Sequence, residues 1–355
     1  MILRELRISN FRCIEHATLQ FDQRVCVIAG KNGAGKTSLI EAAYYLARGR
    51  SFRQPRHDRL IQHDQPQFSL YGQFDYGHHH HKVGISCARQ GGHKIRIDGA
   101  DAANLRLVAE RLVVQVLEPE IHQLIADGPE QRRKFLDYGV FHVEPTYLTA
   151  WRRYKTALKQ RNAALRTGAS TASMLSWERA LLEEGATVDS LRAGYVRMLA
   201  GTTAAITPLL GLPSITMDYR PGWNDAQSME AALDVARERD AQQGTTSVGP
   251  HRADLRIQWG GRLARQQVSR GQQKLLAAAL VLAQAKLLAS LKSEQIVLLV
   301  DDPAAELDKD SLSRLMDVIR TVPGQLILTA IDPEAVVLPT DARLFHVEQG
   351  VVSPG

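Results

Sequence analysis

The stretch VCVIAGKNGAGKTSLIEAAYYLARG, from Val25 to Gly49, leaves this chain few folds to choose from. Val25, Val27 and Ile28 form a short β-branched run of the kind a buried strand needs. Gly30, Gly33 and Gly35 follow, and glycines let the backbone turn tightly enough for successive N–H groups to converge on one anion. From Thr37 onward Leu39, Ile40, Ala43, Tyr44 and Leu46 give a helix its apolar face. The positive end of that helix dipole then points at the same anion. Strand, glycine loop and helix in this order make the P-loop pattern G-x-x-x-x-G-K-T. Gly30, Lys31, Asn32, Gly33, Ala34, Gly35, Lys36, Thr37 and Ser38 are the expected phosphate cradle. Lys36 supplies a charge for the β- and γ-phosphates, and the Thr37 hydroxyl a ligand for Mg²⁺. ATP with Mg²⁺ is the expected cofactor pair, on an α/β fold.

Three later segments belong with this loop. In QIVLLVDDPAAELD an apolar strand, 296–300, ends in Asp301 and Asp302. A carboxylate delivered to a strand's C-terminal end is the Walker B arrangement, with Asp301 toward the metal and Asp302 polarising the attacking water. An acidic turn after a buried strand is the plainer reading of the same residues. In VSRGQQKLLAAALVLAQAKLLASL, Ser269, Gly271 and Gln272 stand at the start of a long apolar helix, offering a second helix N-terminus to an anion. An ordinary N-cap explains Ser269 equally well, though not the small residue and glutamines beside it. Just beyond Asp302, Asp308 in AAELDKD is placed to reach across a subunit boundary.

Along the chain, short strands are expected around the P-loop helix in the first hundred residues, in LRELRISNF, ATLQFD, FSLYGQFDY, KVGISCAR and HKIRIDG. From Pro129 to about Ala205 the pattern is helical. One helix ends at Gly168, and a return helix has Ser173 as its expected N-cap. No apolar heptad persists, so a long coiled coil is not expected. The expected division is a head of residues 1–125 plus 247–355 and a helical arm of residues 126–246. Lysine and arginine number 44 against 38 acidic residues, a net charge of +6 that permits a polyanionic partner without requiring one. Cys13, Cys26 and Cys87 show no paired or metal-ligand spacing, which suits a reducing compartment. The N-terminus is too charged for a signal peptide. The apolar stretch from Leu275 to Leu291 is interrupted by Gln284 and Lys286, and reads as a buried helix short of a membrane span. A cytoplasmic protein without a membrane partner is expected.

The series S-x-G-Q-x-K, then h-h-h-D-D, then A-E-L-D resembles the signature, Walker B and D-loop of ABC-type ATPases. With ISNFRC near the start, KQRNAALR at 159–166 and GPHRADL at 249–255, the chain resembles, over almost its whole length, the RecF family of the SMC-like branch. The resemblance implies an ABC-type head with an inserted helical arm, and an ATP held between two subunits. Gly30 to Thr37 would hold the phosphates, while Ser269, Gly271 and Gln272 meet ATP in trans, and Arg12 approaches the nucleotide. It further implies an ATP-dependent homodimer with weak, DNA-stimulated ATPase activity. Its partners would be single-stranded, duplex and gapped DNA, and recombination mediator proteins of the RecF pathway. Recombinase loading and the SOS response would be its setting. Asp302 replaces the usual catalytic glutamate, so hydrolysis should be slow. Thr329 stands where many ABC proteins carry a switch histidine, and Gln115 is the candidate lobe-crossing glutamine.

Other features carry less. The four histidines 78–81 alternate sides if extended, so only two converge, and a hairpin turn is the expectation. Arg48, Arg50, Arg53, Arg56 and Arg59, and Arg152, Arg153, Lys155, Lys159, Arg161 and Arg166, read as solvated faces or as phosphate contacts. Two other functions fit a P-loop: the ATPase subunit of a membrane transporter, which needs a coupling surface, and a head serving a nuclease, which the short arm disfavours.

Overall fold

The computed structural model describes residues 2–54, 56–77, 79–168, 171–292, 296–333 and 339–355. The chain divides into two units, Met1–Ile121 with Leu280–Gly355, and His122–Ala279. In the first, β1 (Ile2–Phe11), β2 (Ile14–Gln20), β4 (Gln67–Tyr76), β5 (His79–Ala88), β6 (His93–Ile97) and β7 (Ala100–Ala102) form an antiparallel sheet. All five expected strand segments fall within these elements or overlap them.

The second sheet holds the P-loop. It is built from β3 (Val25–Ala29), β8 (Val114–Leu117), β12 (Ile296–Val300), β13 (Gly324–Ala330), β14 (Arg343–Glu348) and β15 (Val351–Pro354), in the order β15-β14-β3-β13-β12-β8. From β14 to β8 every pairing is parallel. The near-continuous apolar strands reflect this, since a parallel sheet is covered on both faces. Helix α1 (Lys36–Arg48) follows β3, and α2 (Arg106–Arg111) precedes β8. Phe11, Tyr45, Leu46 and Phe68 share one buried cluster with Cys26, Ile28, Val297 and Ile327, so α1 is packed into the unit's main core. Helix α10 (Lys309–Arg320) completes the unit.

The second unit contains α3 (Gln123–Ala126), α4 (Pro129–Val143), α5 (Tyr147–Thr167), α6 (Thr171–Ile206) and α7 (Met229–Gln243). With them are β9 (Ile215–Arg220), β10 (Asp254–Trp259), β11 (Arg262–Leu263) and α8 (Ala264–Gln267). Helix α5 ends at Gly168, left-handed at φ 63° as expected of a C-cap. Its partner begins at Thr171, so Ser173 lies inside α6 rather than capping it. Tyr154, Leu158, Leu181, Met229, Leu233 and Ala236 make the shared core of α5, α6 and α7.

The boundary differs from the expected one. Residues 247–279 belong with the helical unit, because β10 pairs with β9 from Asp254↔Arg220 to Trp259↔Ile215. Arg132 of α4 also donates to Asp254 at 2.7 Å. The boundary falls inside α9 (Arg270–Lys292). This helix is, after all, long and apolar enough to cross a membrane, with mean hydropathy 1.6. Yet 78% of that window is buried inside the protein, as befits a core helix.

Candidate nucleotide-binding site

Parallel pairing brings three chain segments to one edge of the sheet. Thr329 of β13 lies level with Ile28 of β3, and Val300 of β12 with Leu328 of β13 and Leu117 of β8. The P-loop, Asp301 and Asp302, and Glu118 all leave the sheet at its carboxyl edge, where open α/β sheets bind ligands.

The loop is shaped by close packing as much as by glycine's freedom. A Cβ at Gly30 would run into the carbonyl oxygen of Val347, and one at Gly35 (φ +115°) would sit 2.9 Å from Ile14. Lys31, Asn32 and Gly33 are exposed at the tip, while Ala34 and Ser38 are buried. The Ala34 carbonyl accepts from the Gly350 amide at 2.8 Å. Lys36, only 7% exposed, folds back over the loop and donates to the carbonyls of Gly30 (2.6 Å) and Lys31 (3.0 Å). Burial pulls its pKa down, and Asp302 and Asp301 push it back up.

Thr329 organises the two aspartates. Its hydroxyl donates to Asp301 Oδ1 at 2.8 Å, and its oxygen accepts from the Asp302 amide at 2.8 Å. Thr37 donates to the same Asp301 Oδ1 at 3.1 Å, so P-loop and Walker B strand meet through one oxygen. Asp301 is 3% exposed, and burial raises its pKa against the pull of Thr329, Thr37 and Arg53. Its Oδ2 is buried and, among the described residues, has no hydrogen-bond partner. A buried, unpartnered carboxylate oxygen beside a threonine hydroxyl suits a hard cation, so Thr37 and Asp301 fit Mg²⁺. Asp302 is left-handed, at φ +46°.

Two residues that sequence reasoning did not assign here belong to this site. The Glu118 carboxyl is pushed up to about 7, by burial first and then by Asp301, with Arg53 opposing. In the sequence Arg53 is one of a run of basic residues; in the fold its charge acts on both Asp301 and Glu118. The acidic EPE after β8 was a visible signal for Glu118, but only strand order shows that β8 neighbours β12. Gln115 does not reach this edge. It is buried three residues earlier, donating to Gln284 at 2.7 Å.

Arg12 is half-buried in the turn after β1 and held in place. Its guanidinium grips the buried Glu41 of α1 through Nε (2.9 Å) and Nη2 (2.8 Å), and Nη1 donates to the Arg59 carbonyl at 3.2 Å. The signature residues lie in the other unit. Ser269 and Gln272 form a reciprocal capping box, amide to Gln272 Oε1 at 2.9 Å and amide to Ser269 Oγ at 3.3 Å. Capping thus accounts for the glutamine as well as the serine, and leaves Ser269 exposed at the tip of α9. Asp308 caps α10, accepting from the Ser311 amide at 2.8 Å.

The basic runs separate cleanly. Arg152, Arg153, Lys155, Lys159 and Arg166 are exposed along α5, as are Arg50, Arg53, Arg56 and Arg59. Arg161 is fully buried, paired with Glu178 (3.0 Å) and Asp240 (2.9 Å), and is removed from the DNA candidates. The motifs around it are interior staples: Asn162 accepts from the Thr246 amide at 2.8 Å, and His251 bonds Tyr154 at 2.6 Å. Of the four histidines, His78 lies outside the described residues. His80 and His81 pair with Asp75 (2.6 Å) and Asp98 (2.8 Å) beside the hairpin turn at Gly77.

The model for the RecF/RecN/SMC N-terminal domain matches residues 2–352. A DNA replication and repair protein RecF of Pseudomonas syringae pv. syringae is 37% identical over 360 residues, covering 99% of this chain and 98% of the relative. One from Shewanella denitrificans is 37% identical, with 99% of each chain covered. Among solved structures, the recombination mediator protein RecF-ATPrS in the RecFOR pathway superposes with a TM-score of 0.86 at 25% identity, covering 99% of this chain and 97% of that one. An SMC head bound to the C-winged helix domain of ScpA shares the fold, with a TM-score of 0.59 at 14% identity over 100% of this chain and 98% of that one.

Proposed function

The chain belongs to the RecF family of SMC-type ABC ATPases, and from that premise we propose that it is an ATP-operated DNA clamp of recombinational repair. The observation that carries this reading is the Thr37–Asp301–Thr329–Asp302 chain of hydrogen bonds. It ties the phosphate loop to the residues that would act on the γ-phosphate. Lys36 and the loop amides bind the phosphates. Thr37 and Asp301 would hold Mg²⁺, which would supply positive charge to offset that of the phosphates. Asp302 orients and polarises the attacking water, and its short reach keeps hydrolysis slow. Arg12 holds Glu41 and so braces α1 beneath the nucleotide.

Ser269, Gly271 and Gln272 of a second copy cap the γ-phosphate, with Asp308 at the boundary between copies. One P-loop and one signature per chain make two complete sites only in a dimer. The relatives' names, covering DNA replication and repair and recombination mediation in the RecFOR pathway, support a role in that pathway; on this reading the chain acts at DNA gaps in the cytoplasm with the pathway's mediator proteins. Exposed α5 cations contact phosphates, without base readout. Molecular mass and DNA binding measured together test this. ATP should double the mass and raise DNA affinity, with log affinity falling by about 0.9 per phosphate contact against log salt. A chain that stays monomeric with ATP, or binds DNA without salt dependence, would refute it.

A further inference from the structure

Away from the nucleotide site, His57, Cys87 and His93 bring a thiol and two imidazoles together. The atoms they offer all lie within 4.8 Å of one another. Each comes from a different part of the first unit. His57 stands in the short turn after α1, Cys87 near the end of β5, and His93 at the start of β6. Cys87 and His93 face each other across the hairpin in direct register. This is why no spacing in the sequence announces them.

We propose that His57, Cys87 and His93 form a binding site for a zinc-class transition metal ion. Cys87 Sγ lies 3.8 Å from His93 Nε2. Bond lengths of about 2.3 Å to sulfur and about 2.05 Å to nitrogen place two tetrahedral ligands about 3.6 Å apart. The pair therefore needs only a few tenths of an ångström of adjustment. The two imidazole rings are perpendicular, with centroids 4.6 Å apart, the edge of one against the face of the other. Tyr45 of α1 bonds His57 Nδ1 at 2.8 Å and stands 3.4 Å from His93 Nε2. With Nε2 as the ligating atom of His57, the hydroxyl bonded to its Nδ1 fixes that ring's orientation around a metal, while His93 Nε2 would exchange the hydroxyl for the ion.

One thiolate with two imidazoles selects zinc, cobalt or copper over magnesium or calcium. Cys87 is 1% exposed, whereas His93 is exposed, which gives the ion a way in and leaves a fourth position for water. On ligation the Cys87 thiol proton passes to solvent. A bound ion would join the β5–β6 hairpin, the turn at 57–60 and α1. That same turn supplies the Arg59 and Leu60 carbonyls that accept from Arg12.

Cobalt(II) titration of the reduced, chelator-treated full chain tests the site. One equivalent should bind, with a near-ultraviolet thiolate charge-transfer band and tetrahedral visible bands, and zinc should bleach both. Cys87→Ser should abolish the charge-transfer band. His93→Gln, at an exposed position that leaves folding intact, should abolish tight binding. Tyr45→Phe should weaken it by about tenfold or more. The double variant His80→Gln/His81→Gln should bind as wild type. A wild-type chain without a thiolate band, or a band that survives His93→Gln, would overturn the assignment.

Discussion

At the scale of single residues, Thr329 is the most informative position in the site. Its hydroxyl holds the Asp301 carboxylate and its oxygen holds the Asp302 amide, so one side chain fixes one carboxylate and the backbone that carries the other. Thr329→Val keeps the shape and removes both bonds, and leaving such buried groups unpaired costs about 1–3 kcal/mol. ATP hydrolysis should fall by about tenfold or more, with ATP affinity held within a few-fold by Lys36, and Thr329→Ser should restore turnover. Steady-state hydrolysis and nucleotide binding decide this; wild-type turnover by the valine variant would remove Thr329 from the mechanism. Lys36→Ala and Asp302→Asn separate binding from chemistry. The first should lose ATP binding in a calorimetric titration. The second should bind ATP, stay dimeric longer and hydrolyse slowly, and normal turnover by it would show that Asp302 is not the base. These residues were legible in the sequence, since loop, strand and aspartates are each local patterns. Glu118 and Arg53 were not, because only the pairing of β8 with β12 and the fold of the segment after α1 bring them to Asp301.

At the scale of elements, the helical unit is held by buried polar groups at the motifs that announced the family. His251 Nε2 donates to the Thr246 carbonyl (2.9 Å) and Nδ1 accepts from the Tyr154 hydroxyl (2.6 Å), and burial pushes its pKa down to about 4. A histidine unfolded at about 6.5 and depressed to about 4 when folded is neutral in both states at neutral pH. As pH falls from 6.5 the unfolded chain takes up the proton first, so stability is lost through that window, by on the order of 3 kcal/mol. Thermal melts between pH 7 and 4 should show a shallower decline for His251→Gln than for wild type. Parallel curves would mean that His251 does not set the acid response. The sequence showed the helices, through periodicity and Gly168. It did not show that residues 247–279 join them, because strand pairing between β9 and β10 links segments more than thirty residues apart. Arg161 likewise read as surface charge, and only its depth reveals the ion pairs.

At the scale of the whole molecule, the proposed clamp needs two copies, which makes complementation a direct test. Ser269→Arg should still bind ATP through its own Lys36 but fail to dimerise or hydrolyse. Mixed with Lys36→Ala, it leaves one composite site with both groups intact, so ATP-dependent dimer should reappear by light scattering. Full turnover by monomeric Ser269→Arg would end the two-copy mechanism. The left-handed backbone at Asp302, φ +46°, bears on how long such a dimer lasts. Aspartate and asparagine tolerate that conformation better than longer side chains do, for which it costs roughly 1–2 kcal/mol. Lengthening the base to glutamate therefore strains the turn that aims it, and Asp302→Glu should hydrolyse no faster than wild type; a clear acceleration would contradict this. On the proposed reading, such a clamp would behave as a timer rather than a motor. Its dwell on DNA would depend on the turn at Asp302 as well as on the base, and a lineage in need of a quicker release would have to change the two together.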